Sequence, residues 1–251
     1  LVNVLANDLR HAVQVFLVLS GALLAYGLLA KPVPVRLGVS VLQRMGRLLP
    51  VYWVCLALAL GCAAIARVWL SDPDTPSWPD WPTIGAHLAL LHSAFGMESF
   101  TVGAWYVAID LQLAVIGATV LVVTQSVRQR VELFSGGLLL IGMLFVAVLG
   151  DDRWALYFLP AFCAGMIVGC GWNAQGQGRP LRRCFGLAWC VSVLLIGTGV
   201  VMDRDAWVVA GGTCLLLATP LALKGRTPRW VGLLERDSYA LFLCHHPVIL
   251  V

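Results

Sequence analysis

Charge is scarce in this chain. Asp, Glu, Lys and Arg make up 12% of its 251 residues, against 60% hydrophobic residues and a mean hydropathy of +0.86. So little polar surface cannot wrap a water-soluble domain of this length. The sequence also lacks an internal repeat, a low-complexity tract and a Gly/Ser linker, so a single domain over 1–251 is the simple organisation. No G-x-S-x-G, Walker loop, H-E-x-x-H or G-x-G-x-x-G is present, which leaves serine hydrolases, nucleotide-driven pumps and zinc proteases without support. No basic patch interleaves with exposed aromatics, so the net charge of +4 gives no argument for nucleic acid. The eight cysteines include no C-x-x-C pair and nearly all fall in apolar stretches. They read as small packing residues rather than disulfides or metal ligands, and no metal site is expected.

What fills the sequence instead is a series of apolar runs at approximately 12–30, 47–67, 105–124, 133–150, 154–172, 184–202, 206–223 and 238–251. Most match the roughly 20 residues that a helix needs to cross a ~30 Å hydrocarbon core. The expected fold is all-α, a polytopic membrane helical bundle with eight spans. The last run is only ~21 Å long at 1.5 Å per residue, and the chain opens on Leu1 rather than Met. Both ends read as cuts, with room for one span upstream. No small-residue cleavage site follows the first run, which argues against a secretory signal peptide.

The loops fix an orientation. Segments 31–47, 125–132, 173–183 and 224–237 hold 13 of the 17 basic residues, while the intervening connections carry Asp72, Asp74, Asp80, Glu98, Asp151, Asp152, Asp203 and Asp205. Positive residues mark the cytoplasmic side, so the alternation supports both the span count and a start outside, at Asp8, Arg10 and His11. This predicts a multi-pass protein of the inner, cytoplasmic membrane, with the bilayer as its first partner.

The long outer connection, 68–104, is the least regular part. Its SDPDTPSWPDWP stretch spaces Pro73, Pro76, Pro79 and Pro82 by three, favouring extended backbone, and its tryptophans suit a membrane interface. The apolar run Thr83 to Phe95 is too short to span and too apolar for open water, so a surface-lying or half-inserted helix is expected. Along one helix its two histidines, His87 and His92, would point to different faces, making them a poor metal pair and interfacial residues instead. The connection is expected to form an extracytoplasmic lid over a substrate.

Polar groups inside apolar spans need a reason. Arg44 and Arg47 sit three apart at the cytoplasmic entrance of the second span, on one helical face ~5–6 Å apart. Two guanidinium forks at that spacing suit a phosphate or pyrophosphate; they equally suit lipid headgroups as positive-inside anchors. Pro50, just inside, is expected to kink the helix. Asp110 is the one acid well inside a span, near the outer end of its run, and must be protonated, paired or turned to a water-filled cavity. His245 and His246 lie in the last run, where adjacent positions diverge by ~100° and cannot serve one site; either can transfer protons near neutral pH. Ser20 and Gly21 form a small-residue step suited to close helix packing.

Five segments, in order, resemble the integral-membrane acyltransferase-3 family. They are VFLVLSGALLAYG; RMGRLLPVYW, carrying Arg44, Arg47, Pro50 and Tyr52; WYVAID, carrying Trp105 and Asp110; FLPAFCAGMIVG; and SYALFLCHHPVIL, carrying Ser238, Tyr239, Leu243 and His245. The resemblance implies a bundle of about ten helices that moves an acyl group, usually acetyl, from cytoplasmic acyl-CoA to a hydroxyl of a carbohydrate or lipid-linked acceptor in the cell envelope. It implies that Arg44 and Arg47 bind the nucleotide end of acyl-CoA, the donor substrate, with no permanently bound cofactor. Asp110 would orient a base or the acceptor hydroxyl, His245 would be a secondary proton partner, and Trp105 and Tyr239 would contact the acceptor. The family's acid is usually Glu, and the aromatic pair that often follows it is Leu113-Ala114 here. Its presumed catalytic histidine belongs to a helix that would precede Leu1, and His11 is not that residue.

The competing reading is a proton-coupled transporter or exporter of glycans or small molecules, with Asp110 and a histidine as relay. Inverted halves would favour it, and the sequence contains none.

Overall fold

The apolar runs become helices. The computed structural model describes residues 2–31, 36–69, 80–92, 95–97, 104–124, 131–150, 154–176 and 182–219. They contain α1 (Val2–Leu29), α2 (Leu37–Trp69), α3 (Trp81–Leu88), α4 (Ala104–Val123), α5 (Val131–Val148), α6 (Ala155–Gly176), α7 (Arg182–Val201) and α8 (Asp205–Ala218), and no strand. All but the short α3 fall on the first seven expected runs; the eighth, 238–251, lies outside the described residues. Two boundaries move. α1 reaches back to Val2, because no Gly or Pro interrupts the sequence before Gly21. α2 begins at Leu37, so Arg44 and Arg47 lie inside the helix rather than in a loop leading to it.

Four helical stretches are long and apolar enough to cross a membrane: Leu37–Ile65, Trp105–Val123, Val131–Val148 and Ala155–Ala174. Val13–Leu29, Gly186–Val201 and Asp205–Ala218 are shorter apolar stretches. Their outward faces are apolar too. Leu133, Leu140, Ile141, Leu144 and Val148 of α5, and Val193, Val200 and Val201 of α7, are all exposed. A helix apolar on both faces is at home in lipid, where the chain need not hide such side chains. Hydroxyls in these helices bond back to the carbonyl four residues earlier, as Ser192 does to Ala188 at 2.8 Å and Thr213 to Val209 at 2.8 Å. That satisfies them where no water is at hand.

The chain divides into two compact units, Leu1–Val41 with Gln112–Leu221 and Leu42–Leu111 with Ala222–Val251. In the first, α6 is the central helix. It packs on α1, α5, α7 and α8, and is buried without a break from Phe158 to Gly171. Small residues bring the helices together: a Cβ on Gly21 would collide with the Phe162 carbonyl, and one on Gly165 with the Val18 carbonyl. Gly142 of α5 faces α6 less tightly, a Cβ there falling 2.7 Å from Pro160 Cδ. The Ser20–Gly21 step is thus a packing device, as its composition suggests.

The second unit holds α2 from Leu42 onward, α3 and the start of α4. α2 buries a narrow stripe, Tyr52, Cys55, Leu56 and Ala59, at helical spacing, and exposes Trp53, Val54, Leu58 and Ile65 around it. Pro50 lies within α2 and has no N–H to offer the Gly46 carbonyl.

Candidate functional site

Arg44 of α2 and Asp110 of α4 form a buried ion pair. Arg44 Nη2 donates to Asp110 Oδ1 and Oδ2, both at 2.7 Å, and Nε donates to Oδ2 at 3.2 Å. The two side chains are 12% and 4% exposed. Tyr106 to Asp110 are buried throughout, so the carboxylate sits in a dry stretch of α4 and the guanidinium fork meets it there. Removing either partner from such a pair strands the other charge, at about 3–5 kcal/mol.

This contact puts at one level two residues that loop charge assigns to different ends of their spans. Arg44 lies only ~10 Å along α2 from Leu37 at 1.5 Å per residue, near the end read as cytoplasmic. Asp110 was expected near the outer end of its run, yet the two side chains touch. The reason lies in the segment before α4, which does not stay at the outer end of α2. Tyr52 Oη donates to the His87 carbonyl at 3.0 Å, and Tyr52 is ~26 Å along the helix short of Trp69. The 80–92 segment therefore reaches to mid-length of α2.

Arg47 differs from Arg44. It is exposed and has no ion pair among the described residues. The two arginines thus stand in different surroundings: Arg44 holds a carboxylate and Arg47 is exposed.

α3 starts at Asp80, whose carboxylate accepts from Thr83 N at 3.0 Å as an N-cap, followed by Pro82 in the first turn. The Thr83 hydrogen bonds hold the Asp80 carboxyl below its usual value. The helix ends after Leu88 in a Schellman turn, with Leu91 N donating to Ala86 O at 2.8 Å and Leu90 N to His87 O at 3.0 Å. Leu90 takes the left-handed position at φ 59°, where glycine is usual. That reversal overturns the expectation that His87 and His92 point apart, which assumed one helix through Phe95. The chain doubles back and the two imidazoles stack, centroids 4.3 Å apart and planes within 10°. His87 Nδ1 lies 2.9 Å from Thr83 O. Both rings are fully buried, and neither nitrogen of His92 has a hydrogen-bond partner. Burial, with His87 alongside, pushes the His92 pKa down to about 4, so the ring is neutral at pH 7.

Trp105 is half-buried in the first turn of α4. His245, His246 and Tyr239 lie outside the described residues. No group of three or more His, Cys, Asp or Glu that would hold a metal occurs among the described residues. Sequence reasoning missed two things: that Arg44 is the partner Asp110 requires, and that Tyr52 anchors the histidine pair. Of the first, only the need for a cation had a signal in the sequence, since an acid in an apolar span demands one. The second had none beyond the appearance of Tyr52 in a recurring motif.

The family model described as an acyltransferase domain matches residues 5–251. No curated protein and no solved structure matches the chain.

Proposed function

The chain belongs to this acyltransferase family, and we propose from that premise that it is a membrane O-acyltransferase fed by acyl-CoA from the cytoplasmic side. The acyl group, acetyl in the simplest case, passes to a hydroxyl of a cell-envelope glycan or a similar lipid-linked acceptor, and the membrane is the inner, cytoplasmic one. The acceptor oxygen attacks the thioester carbonyl, the C–S bond breaks, and the hydroxyl proton goes to a base as the CoA thiolate leaves. CoA serves as donor substrate, not as a resident cofactor.

The observation that carries this reading is the unequal arginine pair. Arg47 is exposed and open, suited to the phosphates at the nucleotide end of CoA. Arg44 is committed to Asp110 and fixes that carboxylate in an otherwise apolar stretch of α4, where its charge can orient a base or the acceptor hydroxyl. Arg44 is then a positioning residue, and it meets a phosphate only by sharing its fork with Asp110. His245 as a secondary proton partner, and Trp105 and Tyr239 as acceptor contacts, follow from the family resemblance.

Binding of labelled acetyl-CoA to the full chain in nanodiscs tests the donor assignment. A charge-assisted bond to phosphate contributes about 1.5–3 kcal/mol, so Arg47→Gln should weaken binding by tenfold or more. Unchanged affinity would remove Arg47 from the donor site.

A further inference from the structure

His92 is fully buried and both of its ring nitrogens lack partners. A neutral imidazole presents one N–H donor and one bare acceptor nitrogen, and burying both unmade is unfavourable. The ring is nonetheless held firmly. It stacks on His87, whose Nδ1 meets Thr83 O and whose carbonyl takes hydrogen bonds from both Leu90 N and Tyr52 Oη. The turn that brings it there puts a leucine in a left-handed conformation, strain that the surrounding contacts must offset. An orphaned ring, held by a strained turn and anchored to α2 mid-length, is arranged to meet something.

Its chemistry narrows the partner. Parallel stacked rings aim their in-plane lone pairs along separate planes, so the two histidines cannot converge on one metal ion. An anion would serve the N–H and leave the bare nitrogen unmet, and the low basicity of the ring opposes its charging. A hydroxyl both donates and accepts, and a polyol can serve both nitrogens.

We propose that the His87–His92 stack is the acceptor subsite: the bare nitrogen of His92 takes a hydrogen bond from a hydroxyl of a sugar-like polyol, and its N–H donates to a second oxygen of the same ligand. This rests on the reading that the chain acylates a hydroxyl, and it names where that hydroxyl-bearing molecule is held. Tyr52 and His87 position the ring without touching the ligand.

The test uses the full chain in nanodiscs with ring-15N-labelled histidine. Methyl glucoside and glycerol are titrated in, with their fully O-methylated counterparts as controls that cannot donate. The His92 nitrogens, identified by their loss in His92→Phe, should shift with the hydroxylated probes and not with the ethers. In parallel, His92→Phe, which keeps a ring for stacking, should raise the KM for the polyol at least tenfold while leaving the KM for acetyl-CoA unchanged. Ring signals that ignore all four probes in the wild type would overturn the subsite and assign His92 to packing or a buried water, whether or not the variant folds. Transfer from acetyl-CoA with an unaltered polyol KM in a folded His92→Phe would overturn it too, while sparing the acyltransferase reading. Selective shifts without any transfer from acetyl-CoA would keep the subsite and sink the donor assignment instead.

Discussion

Arg44 Nη2 lies 2.7 Å from both carboxylate oxygens of Asp110, a residue 66 positions away on another helix. The contact joins the arginine motif and the intramembrane acid, which the sequence places at opposite ends of their spans, into one charged unit. It also explains how an acid is tolerated in the apolar α4.

Breaking that unit from either side should be costly. Arg44→Gln or Asp110→Asn alone should lower stability by about 3–5 kcal/mol, since each strands a buried charge. The double variant should be destabilised by clearly less than the sum, because neither charge is left. A thermodynamic cycle from unfolding in detergent or bicelles reads this directly. Additive losses would show that the two residues do not interact.

Tyr52→Phe removes one hydroxyl and keeps the buried ring. The lost hydrogen bond to His87 O should cost about 0.5–1.5 kcal/mol, spent locally. Amide hydrogen exchange at Ala89, Leu90 and Leu91 should quicken while that of α6 stays as it was. Uniform exchange across both segments would mean that Tyr52 does not anchor the turn.

How much of this was legible in advance varies by element. The helices and the Ser20–Gly21 packing step could be read because apolar length and small-residue pairs are local properties. That Asp110 needs a partner was legible too, since the cost of a lone acid in lipid is independent of fold. Its partner was not, because the relative depth of α2 and α4 depends on how the 80–92 segment folds between them. That segment misleads: its C-terminal turn uses Leu90 where a glycine would have announced the break, so the run to Phe95 looks like one helix and the stacking of His87 on His92 is hidden.

The low basicity of His92 makes a pH prediction. Its folded value lies below the ordinary 6.5, so the unfolded chain binds more protons between the two. The stability this neutral ring provides is therefore present above about pH 6.5 and is lost as pH falls toward 4. Ring-15N shifts should show His92 still neutral at pH 5.5, where an exposed histidine is mostly protonated. A His92 that titrates near 6.5 would contradict its burial.

The most direct test of the whole account is transfer itself. Full-length protein in proteoliposomes is supplied with [14C]acetyl-CoA and a carbohydrate acceptor, and label in the acceptor is followed for the wild type, Asp110→Glu and Asp110→Asn. The wild type should transfer label, and so should Asp110→Glu, which keeps a carboxylate for Arg44. Transfer should fall by two or more orders of magnitude in Asp110→Asn, in protein that still binds acetyl-CoA, because a group that supports proton transfer is lost. Wild-type rates in Asp110→Asn, or label that never leaves acetyl-CoA in the wild type, would contradict this account.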